Sequence, residues 1–171
     1  IDLNSQDATG RLYASGSPMG SELKPGNGPL QIAAFAVRDP GSAWLQRLQV
    51  IKSTADPQGN VTETVYDIAC SDGGKVDPLS HRCPDNGATV DLKTCEFSVD
   101  KGAAQLRALW TDPDFKADQR AVYYVRVLEN PTCRWTAWDA LRAGISPRPD
   151  KETTIQERAW TSPVWVSPAG T

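Results

Sequence analysis

The sequence predicts an all-β domain, an antiparallel β-sandwich with one short helix inserted before the last strand. Three observations carry that prediction. Thirteen Gly and thirteen Pro are spread over 171 residues, which punctuates the chain into short segments joined by turns. Residues 121–129 alternate, with Tyr123, Val125 and Val127 on one face, the period of a half-buried strand. Residues 136–143 carry helix start and stop signals together.

In chain order, residues 1–29 form an irregular lead-in. Gly16-Ser17-Pro18 and Pro25-Gly26-Asn27-Gly28-Pro29 mark turns there, with one short strand at residues 12–14. Residues 30–171 read as a single β-sandwich domain. Residues 30–37 are a compact apolar run ending at Asp39-Pro40-Gly41, the pattern of a buried strand. Residues 45–53 place Leu48 and Val50 on one side and Arg47 and Gln49 on the other. Asp56-Pro57-Gln58-Gly59-Asn60 then turns into residues 61–70, where Thr62, Thr64, Tyr66 and Ile68 share a face. These three strands are expected to be consecutive antiparallel neighbours.

A long polar loop at residues 71–88 follows, then short strands at 89–92 and 95–99. At residues 103–110, Ala104, Leu106, Ala108 and Trp110 alternate with Gln105 and Arg107. That alternation outweighs the helix propensity of the alanines and leucines. Ala121-Val122-Tyr123-Tyr124 resembles the F strand of immunoglobulin-like domains. There, a tyrosine two residues before an inward position holds the corner of the sandwich with its hydroxyl. Tyr123 would take that role, with Val125 where antibody domains have cysteine, and the sandwich is read as immunoglobulin-like. Thr136 as N-cap, Asp139 completing a capping box and Gly144 as terminator define the helix. Pro147-Arg148-Pro149-Asp150 returns the chain as an extended linker, and residues 163–166 close the sandwich as an edge strand.

The net charge of −3 and the balance of acids and bases over residues 129–158 exclude a phosphate-binding stripe. No apolar run is long enough to span a bilayer. Ile1 is not an initiator methionine and no signal peptide follows it. The chain is therefore read as part of a longer or processed product whose upstream segment carries the address and the chemistry. Cys70, Cys83, Cys95 and Cys133 lack the close pairing of zinc ligands, and His81 beside Cys83 is too short a motif to change that. An even count favours disulfides in an oxidising compartment over free thiols. A Cys70–Cys83 bridge would close the polar loop and leave Cys95–Cys133, although four cysteines admit three connectivities.

Each candidate site has a plainer role beside it. Asp112, Asp114 and Asp118 echo a calcium loop but lack its glycine and glutamate, so a turn is the better reading. Asn60-Val61-Thr62 is a formal glycosylation sequon read as part of a turn. His81 is the only histidine, and Ser15, Ser17 and Ser162 lack a nucleophile-elbow context, so no catalytic residue is assigned. Glu157 and Arg158 read as a charged pair fixing a strand or loop in register, with Glu129 as a partner for Arg158 or Arg134. Four of the six tryptophans, among them Trp135, Trp138 and Trp160, lie between 135 and 165. With Arg134, Glu157 and Arg158 they form the candidate interface or ligand-stacking set.

Several segments resemble one bacterial family. They are Ser17-Pro18-Met19-Gly20, residues 45–52, Val65-Tyr66-Asp67-Ile68-Ala69-Cys70, Trp110-Thr111-Asp112-Pro113-Asp114-Phe115, residues 123–135 and residues 154–166. The family is the domain of unknown function DUF3604, and the likeness covers nearly the whole chain. Full-length members look like exported proteins with an N-terminal metal-dependent hydrolase region similar to the polymerase-and-histidinol-phosphatase (PHP) type. The resemblance implies that this chain is the C-terminal part, that it is periplasmic or secreted, and that a divalent metal belongs to the parent protein. None of the histidine motifs of the hydrolase region is present. No cofactor or metal is therefore expected in this chain, nor a nucleic-acid partner.

Three functions are expected in decreasing order. The first is a non-catalytic accessory sandwich packed on the hydrolase domain of the same protein. The second is a carbohydrate-binding sandwich that uses Trp135, Trp138 or Trp160 to stack a glycan. The third is a self-contained metal hydrolase built on Asp112, Asp114 and Glu157.

Overall fold

The computed structural model describes residues 1–24, 26 and 28–168. Pro25, Asn27 and residues 169–171 lie outside the described residues, so the expected turn around Pro25 is described only in part. The chain forms α1 (Ala8–Ser15), β1 (Glu22–Leu23), β2 (Gln31–Val37), β3 (Leu45–Ala55), β4 (Val61–Cys70), β5 (Gln105–Thr111), β6 (Arg120–Cys133), α2 (Trp135–Ala143), β7 (Thr154–Trp160) and β8 (Val164–Val166).

Most strands fall into a six-stranded sheet of order β1-β8-β6-β3-β4, with β7 also paired to β6. β6 is long enough to take β8 along Ala121–Tyr123 and β7 along Arg126–Cys133 on the same side. Its other side is filled by β3. The second sheet holds β2 and β5 alone, antiparallel from Gln31↔Thr111 to Val37↔Gln105. The two sheets meet across a shared core, the layering of a β-sandwich. Leu48 from β3 packs with Ala34 of β2 and Leu106 of β5. Val50, Tyr123 and Val166 form a second cluster against Ile32, Trp110 and Phe115. Leu45, Leu48, Val50, Ile51 and Val166 are almost fully buried, each contributing about 1.5–3 kcal/mol of hydrophobic stabilisation.

Alternation then decides what the sheet shows on its far side. In β3, Leu48 and Val50 face the core, so Arg47, Gln49 and Ile51 face away; in β6, Tyr124, Arg126 and Leu128 do the same.

Several expectations need correction. The lead-in is not irregular throughout, because residues 8–15 are helical, including the residues expected as a strand, and β1 pairs in parallel with β8. That pairing makes the last strand an interior one, flanked by β1 and β6. β3 and β4 are antiparallel neighbours as expected, but β2 leaves for the other sheet at the Asp39 turn. Residues 89–99 form no strands beyond the single bridge Val90↔Phe97. The polar side chains there bond locally, with Thr89 N donating to Ser98 Oγ at 2.9 Å. Helix α2 begins two residues early, with Arg134 at the N-cap and no side-chain cap bond, so the Thr136 capping box does not form. Gly144 does end it, at φ 65°. β7 was not foreseen as a strand.

The disulfides are Cys70–Cys83 and Cys95–Cys133. The first folds the polar loop back over the end of β4. The second ties the end of β6, at the entrance to α2, to the 89–99 segment. Constraining the unfolded chain over separations of 13 and 38 residues stabilises the fold by about 3 and about 4 kcal/mol in the chain-entropy account.

Candidate functional site

The far face of the six-stranded sheet carries the densest polar arrangement. Cross-strand register sets Asp67, Gln49, Arg126 and Trp160 side by side across β4, β3, β6 and β7. The neighbouring row runs Cys70, Arg47, Leu128 and Arg158. A hydrogen-bond chain follows the first row. Arg126 Nε donates to Gln49 Oε1 at 2.8 Å, and Gln49 Nε2 donates to Asp67 Oδ1 at 2.6 Å. Asp67 Oδ2 accepts from Arg47 Nη1 at 2.9 Å and from the Cys83 amide at 2.7 Å. Arg82 Nη1 lies 3.5 Å from Oδ1. A carboxylate this buried is tolerated because two guanidinium groups and an amide share its charge.

Arg47 and Arg82 reach the carboxylate directly, and Arg126 is linked to it only through Gln49. Arg158 Nε donates only to the Gln156 carbonyl oxygen, at 3.3 Å. Among the described residues no carboxylate stands within ion-pair distance of Arg126 or Arg158. Trp160, directly opposite Arg126, is 58% exposed. The other end of this face differs in charge: Glu63 lies opposite Ser53, and Glu22 opposite the exposed Trp165.

A second exposed surface lies on α2. Its inner side buries Ala137 and Ala140, with Ala137 packed on the Cys95–Cys133 disulfide. Its outer side shows Trp135, Trp138 and Leu141, continued by Ile145 just beyond the helix. That spacing forms an apolar stripe along the helix. The Arg142 guanidinium sits 5.3 Å from the Trp138 ring. Arg134 Nε is buried without a hydrogen-bond partner at the start of the helix.

The structure does not form the expected Glu157–Arg158 pair. Adjacent residues on a strand project to opposite faces, and Glu157 is exposed on the face away from Arg158. Glu129 is no partner for Arg134 or Arg158, since its carboxylate accepts a short hydrogen bond from the Ser42 hydroxyl.

Asp112 and Asp114 are committed elsewhere. The Lys52 ammonium is 2.7 Å from Asp112 Oδ2, which also accepts from the Tyr123 hydroxyl at 2.6 Å. Tyr66 donates to Asp114 Oδ2 at 2.9 Å, and Lys52 Nζ donates to the Asp114 carbonyl at 2.9 Å. Asp112 also caps the Asp114 amide at 2.9 Å, as a turn requires. The Tyr123 hydroxyl is thus committed to the Asp112 carboxylate. Of the Asn60 sequon, only Asn60 lies in the turn, bonded to Asp56, while Val61 and Thr62 already belong to β4. Among the described residues, no three potential ligands converge to hold a metal ion. His81 lies with its ring centroid 4.9 Å from that of Tyr66.

Burial, reinforced by the bond to Asp114, pushes the Tyr66 hydroxyl up to about 12. Burial and Asp112 move Tyr123 in the same direction. An acid whose folded pKa is raised favours the native state while protonated. The Tyr66 contribution is therefore complete below pH ~10, the unfolded value, and is lost as pH rises towards 12. Denaturant midpoints are expected to fall across that window, with phenolate absorbance appearing together with loss of structure. Full phenolate absorbance with native circular dichroism at pH ~10 would contradict this.

The profile of a family described as "Protein of unknown function (DUF3604)" matches residues 1–168. The chain belongs to that family. Neither the curated proteins nor the solved structures contain a match to it. The DUF3604 match covers the sheet face, the Lys52–Asp112 cluster and α2 alike. Sequence reasoning singled out Arg158, Trp160, Trp135 and Trp138 but missed Asp67, Arg126 and Gln49, which join Arg158 and Trp160 only through register. The visible signal was Arg126 itself, an arginine placed between two inward valines of a core strand.

Proposed function

We propose that this chain is a non-catalytic accessory domain of a bacterial, exported, metal-dependent hydrolase of phosphoesterase type, docked on the hydrolase region of the same protein. The topology is read as immunoglobulin-like and the location as periplasmic or secreted. The two disulfides support an oxidising compartment, and among the described residues no helix is long and apolar enough to cross a membrane. The observation that carries the docking reading is the α2 stripe, with Trp135 66% and Trp138 36% exposed beside Leu141 and Ile145. Contiguous exposed apolar surface on a helix marks an interaction site, and tryptophan is enriched at the centres of such sites.

The test compares the product of the complete coding sequence with the chain alone. The longer protein is expected to hold a divalent metal and hydrolyse a phosphoester, and the chain alone to do neither. Replacing Trp135 and Trp138 together by Asp should weaken association with a separately expressed upstream region at least tenfold, leaving the melting temperature of the chain unchanged. Phosphoester hydrolysis by the chain alone, or undiminished association of that variant, would overturn the proposal. A carbohydrate-binding role is the second reading, and Trp160, exposed among polar side chains on a flat sheet face, favours it.

A further inference from the structure

We infer that the arginine-rich end of the outer sheet face is a binding site for an anionic saccharide, one bearing carboxylate or sulfate groups. The inference deepens the carbohydrate reading by naming the charge of the sugar, and it is independent of docking through α2. Arg47 and Arg82 engage the single Asp67 carboxylate, while Arg126 and Arg158 stand in the same two rows without an acidic partner. Both oxygens of Asp67 are already engaged, by Gln49 on one and by Arg47 and the Cys83 amide on the other. Arg126 is the diagonal neighbour of both Arg47 and Arg158 in the sheet register. Side chains of this length reach one another at diagonal positions, and like charges there repel. An acidic chain, net −3, has thus gathered uncompensated positive charge in one place. A planar guanidinium with free donors suits a carboxylate or sulfate oxygen pair.

The aromatic component narrows the ligand. Trp160 stands directly opposite Arg126 with more than half of its surface exposed. Its flat apolar ring suits the C–H face of a pyranose, while the neighbouring arginines take the acid group. Extent argues against nucleic acid. The two arginine-bearing rows are two residues apart along the strand, roughly 7 Å. Four residues further along β6, about 13 Å, the face turns acidic at Glu22 and Glu63. A phosphate backbone would have to run on across those carboxylates, whereas a sugar unit or two would not.

The experiment titrates the intact chain at low salt, followed by tryptophan fluorescence and calorimetry. The probes are oligogalacturonate, dextran sulfate, neutral dextran, polyglutamate and a DNA duplex. Oligogalacturonate or dextran sulfate is expected to bind, with affinity falling as salt is raised, and neutral dextran not to bind. R126Q/R158Q and W160A should each weaken binding at least tenfold, while W135A leaves it unchanged. Circular dichroism and melting of each variant establish that it is folded, and R126K/R158K, which keeps charge without the fork, should recover only part of the loss. Equal binding of neutral dextran overturns the anionic assignment while leaving the general carbohydrate reading standing. Failure of every saccharide overturns both. Polyglutamate or DNA bound as tightly as oligogalacturonate, with no loss in W160A, overturns the saccharide in favour of a bare charge patch.

Discussion

Lys52→Ala is expected to destabilise the protein by about 3–5 kcal/mol, the usual consequence of leaving one member of a buried ion pair without its partner. Lys52 is 5% and Asp112 4% exposed, and their charged atoms are 2.7 Å apart. Without the ammonium, Asp112 keeps the Tyr123 hydroxyl and the Asp114 amide, which solvate a carboxylate poorly compared with water. The Asp114 carbonyl loses its donor as well. Removing the charges together has a different expected result. A combined Lys52→Met, Asp112→Leu, Tyr123→Phe variant leaves fewer groups unsatisfied and should recover most of the loss, since apolar replacement of a whole buried pair is often neutral or better. Denaturant midpoints of the two variants measure both quantities. A loss below about 1 kcal/mol for Lys52→Ala, the range of exposed pairs, would mean that water reaches this pair.

Gly102→Ala should be at least as damaging, with a loss above about 4 kcal/mol or no folded product. Gly102 has φ +97°, and an added Cβ would overlap Trp44 Cβ while lying 2.8 Å from Asn130 Nδ2 and 3.0 Å from Leu45 O. Little around it can yield. Asn130 is 1% exposed and its side chain already bonds Lys101 O and Asn86, while Leu45 O accepts from Ala103 N at 2.9 Å. The Gly102 amide is itself held by Asp72 at 2.9 Å. Gly59 supplies the control, because its φ is +85° but nothing lies within 4 Å of an added Cβ. Gly59→Ala should cost only about 1–2 kcal/mol, the backbone penalty alone. Thermal melts of the pair separate crowding from conformation, and equal losses would remove the crowding argument.

The strands that could be read from the sequence are those whose two faces meet different surroundings. β3 and β6 set valine and leucine against arginine and glutamine, and the same alternation faces core and outer surface in the fold. β7 was invisible because Thr154-Ile155-Gln156-Glu157-Arg158-Ala159-Trp160 has no buried residue on either face; it is a strand because β6 offers it hydrogen bonds. β1 is shorter still, and only its pairing with β8 at the far end of the sequence makes it one. The separation of β2 from β3 was illegible for a related reason, since a turn at Asp39-Pro40-Gly41 fits a hairpin or a crossing between sheets equally well. At the candidate site, residue type pointed to Arg158 and the tryptophans. It could not show that Asp67, two strands away from Arg126 across the sheet, would share their row, because long-range register is a property of the assembled sheet.

The double edge of β6 has a consequence for the order in which the protein is made. Residues 126–129 of β6 can pair with β3 on one side as soon as they emerge, but the β7 side of residues 126–133 must wait for β7 to be synthesised. Until then the nascent domain presents an unpaired strand, the kind of template that recruits neighbouring chains. This stretch carries Pro131 at an irregularity in the β6–β7 register and Arg126 in its outward row, and proline and charge are the residues that guard such edges. The groups that later face solvent on the finished sheet therefore also act as gatekeepers during biosynthesis, protecting the half-built strand from aggregation before its last partner arrives.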